Sequence, residues 1–119
     1  MISMKGAIVE ELIKSFPNLK DDIKSNLNDF PDIYLHLIFG DIFNPYLLSL
    51  LDDPQKNKSQ LIKAGELLEH MSRADNSIQE VVVTTVLERL ADDSEKFNEF
   101  CSFVGDTTKH LINDMLRDY

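Results

Sequence analysis

The run from Leu61 to Leu90, LIKAGELLEHMSRADNSIQEVVVTTVLERL, constrains the fold more than any other part of the chain. In its first half Leu61, Ala64, Gly65, Leu68 and Met71 recur at three- and four-residue steps, so they share one stripe of a helix. In its second half Ile78, Val82, Val86 and Leu90 recur every four residues, and Val81, Thr85 and Leu87 widen that face enough to pack on two sides. Arg73-Ala74-Asp75-Asn76 interrupts the pattern. Ser77 followed by Glu80 spells a capping box, in which the hydroxyl holds an orphan amide and the carboxylate reaches back to the cap. The β-branched run Val81–Val86 argues for a strand. The box before it and Leu87-Glu88-Arg89-Leu90 after it decide for a helix, and the whole stretch reads as a helical hairpin.

The remainder follows the same period. Lys5 to Phe16 places Ala7 or Ile8, Leu12 and Phe16 on one face of a helix that ends before Pro17. Asn18 to Leu27, with Leu19, Ile23 and Leu27 four apart, is a second short helix. Pro31 suits a first helical position. Ile33 to Leu51 is the most apolar stretch, and Gly40 and Asn44-Pro45 predict that it divides into two short buried helices or one sharply kinked one. Asp53 and Pro54 suit the cap and first residue of a helix running to Met71 or Ser72. After the hairpin, Phe97, Phe100, Cys101 and Val104 mark a helix stopped by Gly105. Asp106 or Thr107 then caps a last helix whose Leu111, Ile112, Met115 and Leu116 face inward. The expected fold is all-α: one domain over residues 1–119, with about six to eight antiparallel helices joined by short turns. The turn spacing loosely suggests HEAT-like hairpins, without a true internal repeat.

Charge and composition remove several functions. Lys and Arg number 12 against 21 Asp and Glu, a formal charge of −9, which opposes binding to a nucleic-acid backbone. Ile33–Leu51 is long enough to be weighed as a membrane span, but His36, Asp41, Asn44, Gly40 and Pro45 interrupt it and no basic residues flank it. The single Cys101 cannot form an internal disulfide and fits a reducing, cytoplasmic setting. Met1 to Gly6 has no signal-peptide character.

Catalytic and metal chemistry find little support. Glu66 with His70, and Asp106 with His110, are acid–histidine pairs one turn apart. A carboxylate-bridged metal site needs Glu-x-x-His on each of two helices, so these pairs read as surface ion pairs and no metal or cofactor is expected. Cys101, between Phe97, Phe100 and Val104, reads as a core thiol rather than a nucleophile. Nucleophile elbows and phosphate loops are missing, so an enzyme is not expected. The acidic residues remain. Glu66 and Glu69 are placed on the outer face of the first hairpin helix, and Glu80, Thr84 and Glu88 on the second. Asp75 lies in the turn, and Asp92 and Asp93 follow the hairpin. Together they are expected to form a continuous negative strip that either steers a basic protein or simply keeps the surface solvated.

The order Phe16-Pro17-Asn18-Leu19, an aromatic helix ending Phe39-Gly40-Asp41-Ile42, a polar loop, and the glutamate-bearing hairpin with Leu67-Leu68-Glu69-His70-Met71 and Val86-Leu87-Glu88-Arg89-Leu90 resembles a known group. These are the small acidic helical proteins of bacteria that neutralise toxins of contact-dependent or polymorphic systems, many of them catalogued as domains of unknown function. The resemblance implies a non-catalytic immunity protein whose partner is a basic toxin domain; the residues themselves place the contact on the acidic face of the Leu61–Leu90 hairpin, with aromatic help from Tyr34 or Tyr46 if they reach the surface. It carries over no contact residue. The alternatives are a helical scaffold or adaptor for an endogenous protein, and a small enzyme or metal-binding bundle. The broad apolar face of Ile78–Leu90 leaves a homo-oligomer open.

Overall fold

The structure is a computed structural model that describes residues 3–117. Among these residues there are seven helices and no strand. Helix α1, Met4–Ser15, is capped by Ser3, whose hydroxyl oxygen accepts from the Gly6 amide at 3.1 Å, and it ends at Phe16, just before Pro17. A 3-10 turn, Pro17–Leu19, leads into α2, Lys20–Asp29. Helix α3 covers 35–50, α4 is Lys58–Ser72, α5 covers 76–90, α6 is Ser94–Phe100 and α7 is Asp106–Arg117. A second 3-10 turn, Cys101–Phe103, follows α6.

Helix α4 is central. Leu61, Ala64, Gly65, Leu67, Leu68 and Met71 are all buried, and the helix touches α1, α3, α5, α7 and the Cys101–Phe103 turn. The hairpin partner α5 buries Ile78, Val81, Val82, Thr85, Val86, Leu87 and Leu90, so both faces of it are packed. Phe16, Phe39, Phe43 and Phe100 fill the space around this pair. Gly65 is there for room. A Cβ on it would stand 1.8 Å from the carbonyl oxygen of Phe103, which lets the turn press directly on the α4 backbone.

The structure corrects the expected boundaries. Gly40 does not divide α3. The helix continues through a π segment, Phe39–Phe43, in which the wider turn sends the Asn44 amide back to Phe39, five residues away. This widening falls just ahead of Pro45, whose missing N–H must break the ladder in any case. In α5 the β-branched run is helical, but as a longer π segment, Val81–Leu87, rather than an α-helix. Helix α4 starts at Lys58, not Pro54. The Asp53 carboxylate caps one isolated turn by accepting from the Lys56 amide at 3.2 Å, and Asn57 ties that turn to the Leu50 carbonyl at 3.1 Å. Ser77 and Glu80 form no capping box. Asp75 is the cap, accepting from the Ile78 amide at 3.1 Å and from the Ser77 hydroxyl at 2.7 Å, which starts the helix at Asn76. Pro31 starts no helix, since α3 begins at Leu35. In α7 the inward stripe is Thr108, Ile112 and Met115, with Leu111 half-buried and Leu116 50% exposed.

Candidate functional site

Helices α3 and α5 lie side by side and run the same way. His36 Nδ1 meets the Thr85 hydroxyl, and the Asn44 Nδ2 group donates to the Thr85 carbonyl at 2.7 Å. Where the two helices begin, they separate into a groove of about 490 Å³. Phe30, Ile33, Tyr34 and Leu37 line one side, and Ile78, Glu80 and Val81 the other, with Lys5 at the edge. The connection from α2 produces this shape. Phe30 ends α2, the Asp32 carboxylate turns the chain by accepting from the Ile33 amide at 2.7 Å, and Tyr34 caps α3. Phe30 and Tyr34 consequently meet edge to face, centroids 5.6 Å apart, while staying 38% and 44% exposed. A pair of exposed aromatic rings over an apolar floor, with one carboxylate and one ammonium at its rim, is what a protein partner needs for an anchor. Tyr46, by contrast, is half-buried against Phe16, with ring centroids 5.3 Å apart.

The residues expected to form one acidic strip are distributed over the molecule. Glu80 is exposed and borders the groove, and the exposed Thr84 hydroxyl bonds back to the Glu80 carbonyl at 2.7 Å. Glu88 is half-buried and Asp92 exposed. Glu66 lines a different cleft, between α1 and α4, with Glu10, Lys14 and Lys63. Asp93 caps α6 through the Lys96 amide at 3.2 Å and lines a third cleft, where Lys96 pairs with Asp52 at 2.7 Å. That pairing holds the Lys96 ammonium above its usual range. Asp75 is exposed, and its hydrogen bonds from Ser77 and Ile78 hold its carboxyl below the ordinary range.

Glu69 is not on the outer face at all. It is 8% exposed and supplies the N-terminal cap of α7 from another helix. Its carboxylate accepts from the Thr108 amide at 2.9 Å, the Thr108 hydroxyl at 3.0 Å and the Thr107 amide at 3.2 Å, and it pairs with Arg73 at 3.0 Å. Neither Asp106 nor Thr107 is needed as a cap, because the two orphan amides are answered by Glu69. Burial pushes the Glu69 carboxyl up, but the bonds from Thr108 and Thr107 outweigh it and bring its pKa down to about 2. Ser72 extends the network, at 3.0 Å from the Thr108 hydroxyl. Gly105 belongs to the same device, since a Cβ there would lie 2.6 Å from the Glu69 carboxyl carbon. The position of Glu69, four residues after Gly65 and eight after Leu61, already put it on the buried stripe.

His70 pairs with Glu11 of α1 at 2.7 Å rather than with Glu66. Among the described residues no three His, Cys, Asp or Glu side chains converge as a metal site. Cys101 is half-buried, and burial pushes its thiol up, against a smaller opposing pull from Lys109. No helix among the described residues is long and apolar enough to cross a membrane.

The fold and groove define a small all-α domain with an aromatic-rimmed surface groove. The chain belongs to the family described as a domain of unknown function, DUF7674, whose model matches residues 9–119. No curated protein and no solved structure matches it.

Proposed function

We propose that the protein is a non-catalytic binding module of the immunity type, acting in the cytoplasm to neutralise a basic bacterial toxin domain by occluding it. The observation that supports this reading is the groove in which exposed Phe30 and Tyr34 stand beside Glu80, on a chain of net charge −9. Aromatic anchors give a docking site its affinity, and the surrounding negative field speeds the approach of a basic partner. Glu80 is the residue that the acidic-strip expectation and the groove have in common. Glu69 is withdrawn from the contact set, because its carboxylate is consumed inside the fold.

Co-expression with the product of the adjacent gene tests the proposal. The expected outcome is protection of the host cell and a stoichiometric purified complex. Tyr34→Ala should weaken that complex about 30-fold or more, the effect of losing an anchor worth about 2 kcal/mol. Glu80→Lys should slow association chiefly at low salt. A neighbouring product that is harmless and does not bind would favour an adaptor for an endogenous protein instead.

A further inference from the structure

The groove where α3 and α5 begin brings three different surfaces together. The first is aromatic. Phe30 and Tyr34 stand at 86° to each other, an arrangement that spends only one edge and one face between them, and Tyr34 stays 44% exposed. The second is apolar, supplied across the groove by the buried Ile78 and Val81. The third is the exposed carboxylate of Glu80, on the same side as that apolar pair. Among the described residues this carboxylate takes part in no ion pair and no side-chain hydrogen bond, since the Thr84 hydroxyl bonds to the Glu80 main-chain carbonyl instead. Lys5, exposed at the edge, is likewise outside every ion pair among the described residues, so the two charges are not spent on each other.

Each surface asks for a different part of an occupant. An aliphatic or aromatic side chain would cover Ile78 and Val81 but gain nothing from Glu80. A lysine would gain from Glu80, yet its ammonium is a compact point charge with no plane to lay on a ring. An arginine meets all three. Its long stem lies along apolar surface, its flat guanidinium stacks on an aromatic face, and its N–H fork pairs with a carboxylate. The chain's net charge of −9 favours the approach of such a cation. We infer that the groove receives an arginine side chain of the protein partner, seated between the Tyr34 ring and Ile78 with its guanidinium at Glu80. This rests on the groove being the docking site and names the residue that docks.

The 119-residue chain, labelled with nitrogen-15, is titrated with three capped peptides, Gly-Arg-Gly, Gly-Lys-Gly and Gly-citrulline-Gly. Citrulline keeps the plane of arginine and loses its charge. The arginine peptide is expected to saturate and to shift the amides of Tyr34, Ile78, Glu80 and Val81. The lysine peptide should bind about three-fold more weakly for want of the stacked plane, and citrulline about three-fold more weakly for want of the ion pair. Tyr34→Leu and Glu80→Gln, both exposed changes, should each weaken arginine about three-fold and erase one of those preferences. Lys5→Glu should tighten it about two-fold by replacing a like charge at the edge. Equal binding of the three peptides, shifts away from the groove, weakening by Lys5→Glu, or no saturable binding would each overturn the inference. Those outcomes alongside an intact toxin complex would overturn the arginine alone. Arginine binding without any toxin complex would leave it standing and remove the immunity reading.

Discussion

At the α4–α7 junction the carboxylate of Glu69 receives two backbone amides, a hydroxyl and a guanidinium, whereas on the α3–α5 seam Asn44 answers one carbonyl and leaves its own oxygen unpaired. Both contacts are buried and polar, and both join helices that are distant in sequence. The first sits on regular α-helix, and the second joins Asn44, the residue just after one π segment, to Thr85 inside another. A fully answered polar cluster fixes one arrangement, while a partly answered one keeps an unmet demand that a further group can meet. Widened helical turns are over-represented where proteins bind or react. The contrast therefore sets a fully satisfied polar junction at one end of the molecule against an incompletely satisfied one along the seam.

Four measurements test that division. The largest effect is expected at Gly65: an alanine there should destabilise the protein by about 3 kcal/mol or more, because its Cβ meets the rigid Phe103 carbonyl rather than a pliable side chain. Chemical denaturation reads this directly. Glu69→Ala should cost about 2 to 3 kcal/mol, since it strips the cap from α7 and leaves the Thr107 and Thr108 amides unanswered. A similar loss at Asn44 would dissolve the contrast.

Acid should separate the two regions more gently. The folded pKa of Glu69 lies at about 2, below its ordinary 4.5. Its contribution is therefore complete above the unfolded value and fades as pH falls from about 4.5 towards 2. In Glu69→Gln the stability profile should lose that segment of its slope. The smallest effect belongs to Asn44→Leu, expected to change stability by about 1 kcal/mol or less. It loses the bond to the Thr85 carbonyl but also removes the orphaned oxygen. A loss of several kcal/mol there would make the seam as structural as the junction.

The helices were legible because the buried side of each is written at a helical period, as Leu61, Ala64, Leu68 and Met71 show. What the period conceals is the hydrogen-bond register of the backbone. Val81–Val86 reads as helix or strand, and nothing in its side chains announces a bond to the fifth residue back. The helix starts near Asp53 and Ser77 are ambiguous in sequence for a local reason. Several side chains there could cap, and the one that does so is decided by a bond that other groups also seek, as Ser77 donates to Asp75. At the candidate site, Glu80 and Tyr34 could be singled out from sequence, but not that they share a groove, because that depends on how α3 enters beside α5. By chemical type alone Glu69 reads as a surface charge. Its place on the stripe, between the small residues Gly65 and Ser72, is the signal in the sequence of a close approach by other backbone.

Borrowing its opening cap from α4 gives α7 a debt that its own residues cannot discharge. The terminal segment is thereby made conditional on the centre of the fold, and the centre in turn carries a buried anion held by two amides of the terminal segment together with Arg73. The two should fray together or not at all, with amide exchange in α7 and in the last turns of α4 reporting a single opening event.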